Sequence, residues 1–389
     1  MKEWRLNEPN VTFWDRLKIC SFFLNPKNFW TMNGKVSLFE ESMADYVGCK
    51  YAVYVSSGST ANTLLAMHLR DNIAKNNIEK DTIVFPSTTW TTSISPFLRE
   101  GFKPKFIDVN LKDFSIDLDS LENYLKDNHE QVCCVFLTSL IGFVPDMKRL
   151  EAISKRFNVK VMLDNCENTF GTYGGKNVSS FFTSTTSTYF GHQIQSVEGG
   201  FVFTNCQDEY EYFLMARNHG LTRSLKNSSH VRNKNVDPQF DFFLLGNNFR
   251  NTDINAFIGL LDFKRIDKIK NKREKLYEVF LNELKCNMGL SLPSELRGHS
   301  PFCLPVLCDT VKQKSLLLKY CKENNIETRP IISGNLLKQS CYSAFADPLS
   351  FPNSERLHTH GFYVGLHAHV KKSQVEKLTS HINITLNEK

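Results

Sequence analysis

The sequence predicts an α/β fold: a mostly parallel, mixed sheet sandwiched by helices, followed by a smaller C-terminal α/β domain. Three observations carry this. Short apolar runs alternate with amphipathic helical stretches from Tyr51 to Leu163, the pattern of strands joined by crossover helices. Polar outliers gather at the C-terminal ends of those runs, with Trp90 after one, Asp164 and Glu167 after another, and Ser187 and His192 near the end of a third. Open α/β sheets bind ligands along that edge. Near residue 265 the alternation gives way to a long charged helical stretch, which divides the chain into residues 1–265 and 266–389.

Taken in order, an aromatic-rich segment to about Gly34 reads as a docking arm. A helix follows from Ser37 to Val47, with Leu38, Met43 and Val47 at helical spacing. The strand Tyr51 to Ser57 runs straight into Ser57-Gly58-Ser59-Thr60 and a helix through Leu69. A helix opening on small hydroxyl residues and glycine either caps itself or holds a phosphate on its free amides, and both readings stay open at this point. Strands are expected at Thr82–Pro86, Lys105–Val109, Val132–Leu137 and Val159–Leu163. The helices between them are expected at Thr91–Glu100, Leu118–Asp127 and Asp146–Phe157.

The stretch Thr183 to Asn205 is the most informative. It reads as a hydroxyl-rich strand to Phe190, a turn at Gly191, and a return strand after Gly199-Gly200, with His192 and Glu198 at the bend. A helix from Gln207 then leads to His219-Gly220-Leu221-Thr222-Arg223, and Lys226 to Pro238 has the composition of an exposed loop. Gly246 to Arg250 precedes a helix from Asp253 to Ile269, and the lysine-rich run Lys264 to Lys275 reads as a solvated helix face. Beyond it come a strand around Pro301 to Val306 and helices at Lys312–Asn324 and Lys372–Ile382.

Composition narrows the function classes. A chain of 389 residues, 41% hydrophobic and 23% charged, is long enough for two cores. Its net charge of +6 is spread along the chain, which suits an anionic ligand better than nucleic acid. No apolar run is long enough for a membrane span and the N-terminus lacks a signal-peptide core, so a soluble cytoplasmic protein is expected. The 11 cysteines form no Cys-x-x-Cys and are odd in number, as expected of free thiols. Neither a metal site nor an iron–sulfur cluster is expected.

A set of motifs in fixed order carries a resemblance: KYAVYVSSGSTAN (Lys50 to Asn62), Trp90-Thr91-Thr92, LDNCEN (Leu163 to Asn168), GHQIQSVEGG, HGLTR, GNNFR, ETRPIISGN (Glu327 to Asn335) and GFYVG (Gly361 to Gly365). Together they resemble the DegT/DnrJ/EryC1/StrS sugar aminotransferases, fold-type I enzymes of aspartate-aminotransferase architecture that use pyridoxal 5'-phosphate (PLP). The place of that family's Schiff-base lysine is taken here by His192, and an imidazole cannot form the bond. The resemblance is therefore to the dehydratase branch, which works with the free amine, pyridoxamine 5'-phosphate (PMP). Gly191 departs from the pattern of that branch.

The resemblance implies removal of the C3 hydroxyl from a nucleotide-diphosphate sugar, a 4-keto-6-deoxyhexose, with GDP-4-keto-6-deoxy-D-mannose as the expected substrate. It places the product in colitose-type deoxysugar synthesis for O-antigen lipopolysaccharide, with L-glutamate as amino donor. It implies a homodimer with sites at the subunit interface. His192 is the expected catalytic base, with an unperturbed pKa of about 6.5. Asp164 pairs with the pyridinium nitrogen; at about 4 Å and an effective dielectric near 20 that pair is worth about 4 kcal/mol. Trp90 stacks on the ring, Gly58, Ser59 and Ser187 hold the phosphate, and Glu167 completes the near set, while Asn248 reaches the partner's cofactor. His219, Arg223, Arg250 and Arg329 are the expected cations for the sugar nucleotide. Three alternatives remain: a CDP-4-keto-6-deoxyglucose-type 3-dehydrase with an iron–sulfur cluster, which lacks a supporting Cys-x-Cys; an aminotransferase, which lacks a lysine between Thr183 and Asn205; and a catalytically silent binder of sugar nucleotides.

Overall fold

The computed structural model describes residues 3–76, 78–285 and 298–387; Cys286 lies outside them. The larger sheet is built from β1 (Tyr51–Val55), β2 (Thr82–Pro86), β3 (Lys103–Ile107), β4 (Val132–Thr138), β5 (Lys160–Asp164), β8 (Thr183–Ser187) and β9 (Gly200–Thr204), with a two-residue hairpin, β6 (Thr172–Tyr173) and β7 (Lys176–Asn177), standing apart. Its seven strands lie in the order β1-β9-β8-β5-β4-β2-β3. The pairings from β3 through β2, β4 and β5 to β8 are parallel, and β9 runs antiparallel to both β8 and β1. Burial explains the composition of the strands: β2, β4 and β9 are apolar throughout or nearly so because both faces of the sheet are covered.

Within the aromatic-rich segment lies a helix that the sequence reading did not anticipate, α1 (Phe13–Leu24); the helices after it follow the expected pattern: α2 (Gly34–Val47), α3 (Gly58–Lys75), α4 (Ser95–Arg99), α5 (Leu118–Asn128), α6 (Met147–Phe157) and α7 (Gln207–Ala216). Three expectations need correction. Thr91–Glu100 is a 3₁₀ turn, Thr91–Ser93, followed by the short α4, where Pro96 near the helix start lacks the N–H that a continuous helix would use. The strand from Thr183 stops at Ser187 because the Thr188 amide turns to the Gly199 carbonyl (2.8 Å) and Ser196 donates back to Thr188 (2.8 Å). The helix from Asp253 is two, α8 (Asp253–Phe263) and α9 (Ile266–Glu283). At the break, Arg265 reaches Asp15 of α1 and Asp262 of α8.

The smaller unit carries an antiparallel sheet, β10 (Cys303–Leu307), β12 (Gly361–Gly365) and β11 (Thr328–Arg329) in that order, with α9, α10 (Val311–Glu323), α11 (Pro352–His360) and α12 (Lys372–Asn387). Its core also takes in Val109, Phe114, Leu140 and Phe143 from the loops after β3 and β4, and Trp4 from the far end of the chain. Trp4 is stitched in on three sides. Its amide donates to Asn325 (2.8 Å), its carbonyl accepts from Glu327 (2.8 Å), and its indole donates to the Gly365 carbonyl (2.9 Å). The N-terminal arm thus docks on the smaller unit and delivers Arg5, Leu6 and Asn7 to the cleft between the two sheets.

Trp4→Ala should remove about 3–5 kcal/mol of stability, the usual cost of emptying a buried aromatic site. Urea unfolding followed by circular dichroism checks this; an unchanged midpoint would show that the arm adds nothing to the core.

Candidate active site

A cleft of about 680 Å³ opens at the C-terminal ends of β2, β5 and β8, walled on the other side by the arm, β12 and the Glu327–Ser333 segment. Asp164 ends β5 at its floor. It is buried, and its carboxylate accepts from Asn62 Nδ2 (2.8 Å), Ser93 Oγ (2.7 Å) and the Cys166 amide (3.0 Å). Asn62 is oriented in turn by Thr185 Oγ1, which donates to its Oδ1 (2.6 Å), and by its own bond to the Thr92 carbonyl (3.1 Å). Four separate elements therefore aim one carboxylate.

The N-terminus of α3 faces the same space. Ser57 caps the helix by accepting from the Thr60 amide, which leaves the Gly58 and Ser59 amides with no acceptor among the described residues. The capping reading of this turn is observed, and the free amides stay available for an anion. Gly58 is obligatory here, since a Cβ would meet Cys166 Sγ at 2.8 Å and Ser187 Cβ at 3.0 Å. Ser187 comes from the end of β8, and Ser59 Oγ is linked to Thr92 Oγ1 (3.0 Å). Gly199 and Gly200 let the returning strand lie on this turn; a Cβ on Gly200 would stand 2.5 Å from the Gly58 nitrogen.

His192 lies on the cleft wall with its Nδ1 enclosed and unpartnered, its ring 5.6 Å from that of Phe302 and 6.2 Å from that of Tyr189. Burial pushes its pKa down to about 4; Asp164 and the Cys166 backbone oppose the shift and Arg273 adds to it. The expectation of a group titrating near neutrality is thereby corrected: the imidazole is neutral and proton-accepting throughout the physiological range. Glu167 moves the other way. Burial lifts it to about 8, against the Ile141 amide that it accepts from (2.8 Å) and with Asp164 adding to the rise, so it carries a proton at pH 7. The two groups are matched as a neutral base and a neutral acid.

Of the residues singled out from sequence, Gly58, Ser59, Trp90, Asp164, Glu167, Ser187, His192 and Arg329 line this one cleft. Trp90 stands at the rim with half its surface exposed (51%). Asn248, His219, Arg223 and Arg250 do not line it. They form a second cluster: Asn248 bridges Asn218, Arg250 donates to Asn218 Oδ1 (2.7 Å), the His219 amide donates to Asn247 (2.9 Å), and the Arg223 guanidinium lies 5.7 Å from the Phe240 ring. Exposed Phe240, Phe242, Phe243 and Leu245 surround that cluster. Sequence reasoning missed Asn62 and Ser93 as the supports of Asp164, although Asn62 lies within the quoted motif. It also misread Arg273: the helix face is not uniformly solvated, because Arg273 is 3% exposed and lines the cleft.

The donor set fits a phosphorylated pyridine cofactor: free amides and hydroxyls at the head of α3, a fixed carboxylate at the floor, and an aromatic at the rim. Among the described residues no lysine lines the cleft, so none of them can hold such a group as a Schiff base.

By NMR, the His192 ring proton in cofactor-free protein should titrate with a midpoint near 4. Asp164→Asn removes the negative charge that favours imidazolium, so the midpoint should fall further; a midpoint near the ordinary value of about 6.5 would show that the ring is solvated.

Comparison with known proteins places these features in context. The profile described as the DegT/DnrJ/EryC1/StrS aminotransferase family matches residues 23–383. GDP-4-keto-6-deoxy-D-mannose 3-dehydratase of Yersinia pseudotuberculosis is 29% identical over 361 residues, covering 90% of this chain and 91% of that one. The enzyme of the same name from Escherichia coli O55:H7 is 30% identical over 368 residues, with 91% and 93% covered. Among solved structures, the E. coli dehydratase with bound hydrated PLP superposes with a TM-score of 0.89 at 27% identity, covering 98% of this chain and 100% of that one. A second dehydratase structure, which holds a trapped PLP–glutamate geminal diamine, gives 0.88 at 27% identity with 97% and 100% covered.

Proposed function

The chain belongs to the DegT/DnrJ/EryC1/StrS aminotransferase family, and we propose that within it this protein is a PMP-dependent 3-dehydratase of a nucleotide-linked 4-keto-6-deoxyhexose. The observation that carries the reading is His192: a neutral imidazole on the wall of a cleft that, among the described residues, no lysine lines, above a carboxylate held by three donors. A base without a Schiff-base lysine suits elimination better than transfer of an amine to the sugar. GDP-4-keto-6-deoxy-D-mannose is the substrate that the named relatives favour.

The residues divide the work. When bound, the cofactor supplies an amine and a protonated ring that accepts electrons from a neighbouring carbon. Gly58, Ser59 and Ser187 would hold its phosphate, Trp90 would cover one face of the ring, and Asp164 would keep the ring nitrogen protonated. His192 takes a proton in one half of the cycle and returns it in the other. Glu167, protonated at pH 7, can donate a hydrogen bond into the cleft. Overall the sugar loses one oxygen and gains two electrons; L-glutamate supplies those electrons, leaves as 2-oxoglutarate, and releases ammonia.

Arg329 lies on the cleft's outer wall, where it can meet the diphosphate. Asn248, His219, Arg223 and Arg250, together with the exposed phenylalanines around them, are the natural contribution of one subunit to its partner's site in a homodimer. A division of the chain near residue 265 is supported by the break between α8 and α9, which lies there. Among the described residues no helix is long and apolar enough to cross a membrane, and a cytoplasmic location suits an enzyme of soluble nucleotide sugars.

Purified protein incubated with PLP, excess L-glutamate and GDP-4-keto-6-deoxy-D-mannose should release ammonia and a product lighter by one oxygen. His192→Asn should lower that turnover by a factor on the order of 10²–10⁴, the ordinary worth of a general base. An amino sugar from the native protein would make it a transaminase, and undiminished turnover by the variant would remove His192 from the chemistry.

A further inference from the structure

Among the described residues the cleft holds one buried cation that the dehydratase reading leaves unused. Arg273 projects from α9, is 3% exposed, and lines the cleft. Its Nη1 donates to the Phe302 carbonyl (3.0 Å), while its Nε is enclosed with no acceptor. Among the described residues no carboxylate forms an ion pair with it. Among the described residues, Arg5 pairs with Glu3 (2.8 Å), Arg329 stands 4.0 Å from Glu327, Asp164 is satisfied by its three donors, and Glu198 is exposed to solvent. Glu167 is protonated and offers no counter-charge. A buried guanidinium without an anion is costly, and a ligand carboxylate is the group whose planar pair of oxygens its fork matches.

Position selects the ligand. Phe302 joins the cation to the base, since its carbonyl holds Arg273 and its ring lies 5.6 Å from the ring of His192. The hexose carries no charge near its reacting carbons, and its diphosphate belongs at the open end of the cleft. The amino donor differs: the α-carbon whose proton His192 must move bears a carboxylate directly. We propose that Arg273 receives the α-carboxylate of L-glutamate, so that a single cleft serves two chemically unlike substrates through different cations. The assignment rests on the dehydratase reading for the identity of the donor. Otherwise Arg273 serves only to pin the Phe302 backbone.

The test separates these. With Arg273→Gln and Arg273→Lys, the conversion of PLP-loaded protein to its amine form by L-glutamate is followed by absorbance. Dehydration by PMP-loaded protein is followed in a single turnover with GDP-4-keto-6-deoxy-D-mannose. Calorimetry measures binding of 2-oxoglutarate to cofactor-free protein, and thermal unfolding confirms that each variant is folded. Removing one partner of a buried charge pair predicts a fall of about 100-fold in kcat/KM for glutamate in Arg273→Gln, with a rise in KM carrying most of it. The single-turnover dehydration should fall by less than a tenth of that factor, 2-oxoglutarate should bind at least tenfold more weakly, and Arg273→Lys should recover part of both. Equal losses in the two halves, or unaltered 2-oxoglutarate affinity, would overturn the assignment. Should the native protein convert no sugar nucleotide, the dehydratase reading falls while the 2-oxoglutarate titration still decides the role of Arg273.

Discussion

The position of one buried carboxylate organises the architecture. Asp164 ends a central strand, between Thr138 of β4 and Thr185 of β8 in the register, and draws hydrogen bonds from α3, from the turn after β2, and from its own following loop. An ion taken from water into this interior is tolerable only with such donors in place. The same donors fix where the head of α3 lies, because Asn62 belongs to its first turn and a half. The free amides of Gly58 and Ser59 and the carboxylate of Asp164 are thus set by one bonded framework.

The antiparallel end of the sheet serves a related purpose. A further parallel strand after β8 would need a crossover of a dozen residues or more, which would carry the chain away from the strand ends. The β8–β9 return keeps residues 188–199 at the edge, where Ser187, His192 and Glu198 all line the cleft. The glycine pair closes that return against α3, so the base is positioned by the helix that presents the anion-binding amides.

Much of this was legible in the sequence, because strand ends and glycine turns are local signals. Period-2 and period-3.6 patterns located the elements around Asp164, and Thr82–Pro86 was located to the residue. What local patterns omit is which side of a polar helix turns inward. In Lys-Asn-Lys-Arg-Glu-Lys the one inward cation is indistinguishable by type from its solvated neighbours, and only the packing of α9 into the core of the smaller unit, beside Phe302, selects Arg273. The pKa of His192 was illegible for a similar reason, since burial by Phe302 comes from a segment more than a hundred positions away. The Asn248 and Arg250 motif was legible as a motif, but its separation from the cleft is a property of the fold.

The Trp4 clasp joins the start of the chain to Gly365, 361 positions later. Contacts of that separation form late, after loop closure across nearly the whole polypeptide. During synthesis at about 5–20 residues per second, the larger sheet can assemble while the ribosome is still making the smaller unit. The wall of the cleft formed by Arg5, Leu6 and Asn7 cannot. The cleft wall supplied by the arm is therefore the last part of the site to close, after the groups around Asp164 are already in place.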